Sequence, residues 1–190
     1  RRNFRKPMII MTPKSLLRHK RCVSRLDEFG PGTSFHRVLP DDAEGTPGLV
    51  GDDDIKRVVL CSGKVYYDLL EGREKQGINN VYLMRQEQLY PFPPKTLGEH
   101  LKRFPQAELV WCQEEPKNMG AWSFVNPRLE EVMETVGMRA GRPVYVGRPE
   151  AASPATGLAR NHLREQEALV TEALTVGTSA VRARPVRKAG

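Results

Sequence analysis

The sequence lacks the features that mark membrane, secreted and metal-binding proteins. No apolar run approaches the roughly 20 residues that span a bilayer, and the basic N-terminus has no apolar segment behind it, which argues against a signal peptide. Only three cysteines are present. Neither a CxxC spacing nor a nearby group of histidines accompanies them, so we expect no metal site. A chain without an export signal or a cysteine pattern is expected in a reducing cytoplasm.

Acidic residues are missing from both ends of the chain, although the net charge is +7. Residues 1–25 hold nine of the 30 Lys and Arg residues and residues 178–190 hold four, which leaves 17 basic against 23 acidic residues between them. Basic termini are often solvated tails or contacts with a partner. Because no RNP-like aromatic strand, zinc-finger spacing or recognition helix accompanies the charge, we expect no nucleic-acid partner and no membrane partner.

The length of 190 residues suffices for one domain with a core but is short for two. The sequence begins without Met, from which we expect that it was cut from a longer chain. We predict one domain over residues 1–177 and a disordered basic tail over residues 178–190. Within the domain, residues 30–54 contain five glycines, three prolines and six acidic residues, which predicts a long surface loop.

Five short apolar runs punctuate the chain and lack the polar alternation of a half-exposed strand. Such runs are typical of strands buried on both faces of a parallel or mixed sheet. Apolar residues at helical spacing lie between them, so strand and helix alternate, which predicts a three-layer α/β sandwich. The runs are residues 8–11, 58–61, 81–84, 109–112 and 144–146. The helical stripes are Val65, Tyr66, Leu69 and Leu70; Leu97, Leu101 and Phe104; Leu129, Val132 and Met133; and Leu163, Ala168, Leu169, Ala173 and Leu174.

The first strand-to-helix junction carries two cations. Thr12 is predicted to cap a short helix that begins at Pro13, which would put Lys14 and Arg18 on one helix face. Ligands of open α/β sheets bind beyond the carboxyl ends of the strands, where helix N-termini present free N–H groups. Lys14 and Arg18 are therefore candidates for an anion site, with a solvated basic face as the alternative.

Two later junctions have the same character. Ser62 is predicted to cap the helix that follows the second run, beside Lys64, although the full phosphate-loop pattern is absent. Arg148 follows the last run, where its planar guanidinium suits an anion, and Ser153 with Pro154 predicts the start of the final helix. We predict that Lys14, Arg18, Lys64 and Arg148 form a cationic rim at one end of the sheet, and that Ser62 contributes to the same anion site.

The segment from Glu114 to Trp122 follows the fourth run. Adjacent carboxylates at a strand end could serve as an acid/base pair. No histidine or nucleophile is nearby, and the Pro, Asn and Gly content describes a tight turn, which favours a structural or interface role for Glu114, Glu115 and Trp122. We expect Glu114 or Glu115 either to accept a hydrogen bond from the indole N–H of Trp111 or Trp122, or to pair with a basic residue at the end of a neighbouring strand. No Ser/His/Asp set or dinucleotide fingerprint is present, so composition alone supports only an α/β domain that binds a nucleotide or another anion.

Five segments in order resemble the C-terminal domain of 2-oxoglutarate dehydrogenases, the thiamine-dependent decarboxylating components. They are MTPKSLLRH at residues 11–19, CSGKVYYDL at 61–69, EQLYPFP at 87–93, VWCQEEPKNMGAW at 110–122 and YVGRP at 145–149. The likeness covers about residues 3–177. It implies a transketolase C-terminal-like fold, with a mixed, mostly parallel five-stranded sheet flanked by helices.

The resemblance also implies a function for the parent enzyme. That enzyme decarboxylates 2-oxoglutarate on thiamine diphosphate and Mg²⁺ in the tricarboxylic acid cycle, and passes the succinyl group to the lipoyl arm of dihydrolipoyl succinyltransferase. The family's cofactor contacts and catalytic histidines lie in upstream domains, so we expect this chain to be inactive alone and assign it no catalytic residue. The full-length enzyme is expected to be a homodimer.

In actinobacterial relatives this domain binds acetyl-CoA as an activator. The resemblance implies that the corresponding positions here are Ser34, Arg37, Gln88, Lys95 and Thr96. Gln88 is retained and Lys95 keeps a basic character, whereas the pattern has basic, hydroxyl and basic residues at Ser34, Arg37 and Thr96. We expect the lost charges to weaken attraction to the phosphates.

Overall fold

The computed structural model describes residues 3–177, which divide into two compact units at Ser34. Residues 3–34 contain two short 3₁₀ turns, Lys14–Arg18 and Leu26–Phe29, and none of these residues is buried. Residues 35–177 hold the sheet and its helices. The prediction of one domain over residues 1–177 stays a prediction, and the tail predicted at residues 178–190 lies outside the described residues.

The second unit is an α/β sandwich with five strands and four α-helices among its described residues. The strands are β1 (Val38–Leu39), β2 (Arg57–Cys61), β3 (Val81–Gln86), β4 (Glu108–Gln113) and β5 (Val144–Gly147). The helices are α1 (Val65–Gln76), α2 (Pro94–Leu101), α3 (Trp122–Val136) and α4 (Ala159–Leu174). The strand order is β1-β3-β2-β4-β5, with β1 antiparallel to β3 and the other pairs parallel. The predicted mixed, mostly parallel sheet is confirmed.

Both faces of the sheet are covered, which explains why the runs show no polar alternation. Val58 and Leu60 of β2 pack with α2 and α3 on one face. Val59 and Cys61 pack with α1 and α4 on the other. Successive side chains of a strand point to opposite faces, so a strand buried on both sides must be apolar throughout.

One predicted strand is wrong. Residues 8–11 are not a strand: their side chains are 72–90% exposed. The fifth strand is β1, two residues inside the segment predicted as a surface loop, and it pairs with Arg85 and Gln86 of β3. An apolar run favours a strand only where a neighbouring strand supplies hydrogen-bond partners, and local composition does not report that neighbour.

Three predicted helix starts are also corrected. The segment Lys14–Arg18 is a 3₁₀ turn preceded by Pro13, so Thr12 does not cap it, and positions four apart do not share a face at three residues per turn. The residue before α1 is Lys64, with no side-chain cap from Ser62. The last helix begins at Ala159 rather than at Pro154, and Leu163 of its predicted stripe is 67% exposed.

Two buried arginines form ion pairs that connect separate segments of the second unit. Arg73 of α1 makes a bidentate ion pair with the buried carboxylate of Asp41, which also accepts the backbone N–H of Leu83 at 2.6 Å. Arg57 pairs with Glu108 at 2.6 Å and donates to the carbonyl oxygen of Ala173 at the end of α4. A cation at a helix C-terminus is stabilised by the free carbonyl groups there.

The acidic residues between β1 and β2 also bind side chains of the second unit. The hydroxyl of Tyr66 donates to Asp42 at 2.7 Å, and that of Tyr82 donates to Glu44 at 2.6 Å. Arg103 adds a 2.7 Å ion pair to Glu44. Burial, reinforced by these hydrogen bonds, raises the pKa of both tyrosines, so the hydroxyls remain donors. Across residues 3–177, no helix combines the length and apolarity needed to cross a bilayer.

Candidate functional site

A crevice lies beyond the carboxyl ends of β2 and β4. The loop after β2 leads to α1 on one face of the sheet, and the loop after β4 leads to α3 on the other, which is the topological switch point where ligands of open α/β sheets bind. The crevice has a volume of about 520 Å³, within the range of small-ligand sites. Its lining consists of Ser62, Gly63, Leu89, Tyr90, Trp111, Gln113, Glu115, Gly120, Ala121 and Phe124.

The side-chain amide of Gln113 organises the inner end of this crevice. Its oxygen accepts the indole N–H of Trp111 at 2.9 Å and the backbone N–H of Trp122 at 3.0 Å. Its nitrogen donates to the carbonyl oxygens of Glu115, Pro116 and Met119 at 3.2, 3.2 and 2.7 Å. The amide is buried, so every one of its hydrogen-bonding directions is satisfied by protein.

The chain approaches Gln113 closely at two glycines. Gly120 has a φ of +66°, and a Cβ there would lie 2.9 Å from the amide nitrogen of Gln113. A Cβ on Gly147 would lie 2.5 Å from the hydroxyl oxygen of Tyr145 and 2.6 Å from the backbone oxygen of Gln113. The Tyr145 hydroxyl lies 2.8 Å from the carbonyl oxygen of Arg148, which it reaches past this glycine. Only glycine fits at these two positions.

The two adjacent carboxylates have different surroundings. Glu114 is half-buried and lies 3.1 Å from the ammonium of Lys64, whereas Glu115 is exposed and contributes its backbone oxygen to the turn. The prediction that one of them accepts an indole hydrogen bond is wrong for Trp111, whose acceptor is Gln113. Glu114 instead has the alternative partner, a basic residue at the end of a neighbouring strand, because Lys64 follows β2. Sequence reasoning missed Gln113 because it looked for charged acceptors, while an amide can both accept and donate. Trp122 begins α3 and packs against Tyr145 at 5.3 Å between ring centroids.

The predicted cation Lys64 is already paired with two carboxylates. Its ammonium lies 2.7 Å from Asp68 and 3.1 Å from Glu114. Partial burial alone would lower the pKa of Lys64, but the hydrogen bonds to these carboxylates outweigh it and raise that pKa. An anion would have to compete with both partners. Ser62, two residues before Lys64, lines the crevice.

Arg148 is buried and also has a carboxylate beside it. Its Nη2 lies 2.8 Å from Nδ1 of His162 and 3.3 Å from the amide oxygen of Gln166, both on α4. Its Nε lies 3.1 Å from Glu165 but is not aligned for a hydrogen bond. The amide nitrogen of Gln166 donates to Asp68 at 2.7 Å, so Arg148 and Lys64 are linked through α4.

The structure brings together part of the predicted cationic rim. Ser62 and Lys64 follow β2, and Arg148 follows β5, so all three lie at the carboxyl ends of parallel strands. Lys14 and Arg18 belong to the other unit. The anion-binding role of the five residues stays a prediction. Lys64 already has the carboxylates of Asp68 and Glu114 beside it, and Arg148 has Glu165 together with His162 and Gln166.

The predicted acetyl-CoA positions are also divided between the two units of the chain. Gln88 follows β3 and its backbone N–H donates to the carbonyl oxygen of Arg37 at 3.1 Å. Its side-chain amide donates to the carbonyl oxygen of Pro91 at 2.6 Å. Lys95 and Thr96 lie in the first turn of α2. The fifth position, Ser34, lies in the first unit. The regulatory role of these residues stays a prediction.

Cys61 and Cys112 face each other across β2 and β4 and are fully buried. Burial raises the pKa of Cys61 to about 12 and raises that of Cys112 as well, so both behave as small apolar residues. In residues 3–177 no group of three or more His, Cys, Asp or Glu residues is arranged to hold a metal ion.

The fold defines the class of protein as a three-layer α/β domain, with a crevice at the switch point of its sheet. The family model described as 2-oxoglutarate dehydrogenase C-terminal matches residues 23–174. The chain belongs to this family. Proteins named 2-oxoglutarate dehydrogenase E1 component from Brucella anthropi and Brucella ovis are 60% and 59% identical over 178 residues. Each match covers 92% of this chain and 18% of the relative, so the chain spans less than a fifth of these relatives.

Proposed function

We propose that this chain serves as the C-terminal structural and regulatory domain of a 2-oxoglutarate dehydrogenase. The whole enzyme would decarboxylate 2-oxoglutarate on thiamine diphosphate and Mg²⁺, and succinylate the lipoyl group of dihydrolipoyl succinyltransferase in the tricarboxylic acid cycle. It would act as a cytoplasmic homodimer. The observation that carries this proposal is the family match over residues 23–174, together with 60% identity to a protein of that name.

The cofactors would be bound outside this chain. Mg²⁺ in such sites is held by carboxylates together with substrate or cofactor phosphates, and residues 3–177 contain no group of three or more His, Cys, Asp or Glu residues arranged to hold a metal ion. The charged residue in the lining of the crevice is Glu115, and its negative charge would repel a diphosphate. We therefore assign no catalytic step to residues of this chain.

Calorimetric titration of the purified chain with thiamine diphosphate and Mg²⁺ tests the first part of the proposal. We expect no heat of binding, and no release of CO₂ from 2-oxoglutarate. The matched measurement uses the full-length enzyme, which should bind the cofactor and decarboxylate 2-oxoglutarate. Micromolar binding by the chain alone would contradict the proposed division of labour.

A free-standing α/β module that binds a nucleotide or another anion is the alternative. The lysine and arginine at the carboxyl edge favour it, but the carboxylates beside Lys64 and Arg148 oppose it. The intact mass of the native product in cells discriminates the two functions. A species of 21.5 kDa would favour the alternative, and a much longer polypeptide would favour the dehydrogenase.

The turn from Glu114 to Trp122 is proposed to face the upstream domains of the enzyme. The exposure of Glu115 and the partial exposure of Trp122 support this role. Arg37, Gln88 and the first turn of α2 remain candidates for acetyl-CoA regulation. Activity of the full-length enzyme measured with and without acetyl-CoA tests that role, and we expect weak activation because the two phosphate-binding charges are missing.

A further inference from the structure

The crevice at the switch point combines exposed aromatic surface with one charged lining residue. Tyr90 is 82% exposed, Phe124 is half-buried, and Trp111 is buried at the inner end. Glu115 is exposed, and within residues 3–177 its carboxylate has neither a hydrogen bond nor an ion pair. Aromatic faces attract cations, and a planar guanidinium can stack on a ring while it pairs with a carboxylate.

The charged residues near the crevice do not remove its preference for a cation. The ammonium of Lys64 is held by Asp68 and Glu114, so it does not compensate Glu115. The guanidinium of Arg128 lies 3.8 Å from the ring centroid of Phe124 and donates to the carbonyl oxygen of the same residue. Tyr90 therefore carries most of the open aromatic surface of the crevice, whose lining also contains Glu115, a carboxylate without a partner in the described part of the chain.

We propose that this crevice receives an arginine side chain from the part of the same polypeptide that precedes this domain. The inference rests on the proposed function, because the chain spans 18% of its relatives and most of such an enzyme lies outside it. The arginine would stack on Tyr90 and pair with Glu115. A crevice of about 520 Å³ with an exposed aromatic rim is typical of an interaction site, and the charge of its lining selects a basic segment.

The test uses the full-length enzyme and labels its carboxylates with a carbodiimide and an amine, followed by mass spectrometry. Glu150 is the matched control, because it is exposed and follows β5 at the same edge of the sheet. We expect Glu115 to be labelled at least tenfold more slowly than Glu150. Equal labelling of the two would overturn the proposal.

A photo-crosslinker identifies the occupant. The variant Leu89→p-benzoylphenylalanine places the reactive group in the crevice lining. We expect the crosslinked peptide to contain arginine and to come from the preceding part of the chain. Glu115→Gln and Tyr90→Leu should each lower the yield about tenfold, and Glu150→Gln should leave it unchanged. Tyr90→Leu keeps an apolar side chain, so its effect isolates the contribution of the ring.

Other outcomes overturn the docking proposal. Crosslinking to a second copy of this domain, or to a peptide without arginine, would assign the crevice to another occupant. An enzyme that decarboxylates 2-oxoglutarate but has a freely labelled Glu115 would refute only the docking. An enzyme with a protected Glu115 and no decarboxylase activity would refute only the proposed function.

Discussion

Replacing Gln113 by leucine removes the amide that holds the turn between β4 and α3. The side chains have similar size, so the change removes hydrogen bonds more than packing. Five partners lose their bond: the indole of Trp111, the backbone N–H of Trp122 and three carbonyl oxygens of the turn. The turn must then open to water or leave polar groups buried.

The magnitude follows from which partners are buried. The indole of Trp111 and the carbonyl of Pro116 lie in bonds that are buried, whereas the other partners are partly exposed and can be hydrated. An unsatisfied buried group costs about 1–3 kcal/mol. We therefore expect Gln113→Leu to lower the free energy of unfolding by about 3–5 kcal/mol, a large fraction of the roughly 5–15 kcal/mol typical of a domain.

Urea unfolding of the purified chain measures this loss. Trp111 and Trp122 are the only tryptophans and both bond to Gln113, so intrinsic fluorescence follows the turn directly. Gln106→Leu is the control, because Gln106 is exposed and its amide oxygen meets Arg139 at 3.4 Å. We expect the control to change stability by less than about 0.5 kcal/mol. A loss below about 1 kcal/mol for Gln113→Leu would refute the account of the turn.

Trp122→Ala should lower the free energy of unfolding by about 2–3 kcal/mol. This is less than the loss of about 3–5 kcal/mol for a core aromatic, because Trp122 is only half-buried. Glu115→Gln should leave urea unfolding unchanged. Equal losses for the two would show that Glu115 belongs to a buried network. Asp41→Asn should cost about 3–5 kcal/mol in the same assay, since it leaves a buried guanidinium without its counter-ion; a loss under about 1 kcal/mol would contradict this. The hydrogen bond from Arg103 holds the pKa of Asp52 below its usual value, so this pair contributes stability above the unfolded pKa that is lost as pH falls through the folded pKa. An NMR titration should show the pKa of Asp52 rising in Arg103→Gln, and an unchanged pKa would exclude this cause.

The central sheet could be predicted from the sequence because its signal is local. A strand buried on both faces has to be apolar at successive positions, and the runs at β2, β3, β4 and β5 meet that requirement. The helices between them carry apolar residues at a spacing of three and four. Gly77 follows the last residue of α1 in the left-handed conformation that glycine adopts readily. Fold class therefore depends on a pattern that each segment contains by itself.

The edge of the sheet could not be predicted in this way. Residues 8–11 have the composition of a strand and are exposed, whereas Val38 and Leu39 form one because Arg85 and Gln86 lie alongside. Two residues carry too little periodicity to be recognised. Whether each segment forms a strand depends on whether another strand lies alongside it.

The candidate site depended on contacts between distant segments. The sequence placed Ser62, Lys64 and Arg148 at strand ends, and the strand order brought them to one edge. Asp68 is only four residues from Lys64, but the other carboxylates beside these cations come from distant elements: Glu114 follows β4, and Glu165 lies on α4. Charge pairing between distant segments depends on distance in space rather than along the chain, so only the tertiary structure decided that Lys64 pairs with Glu114 and that Glu115 has no partner within residues 3–177.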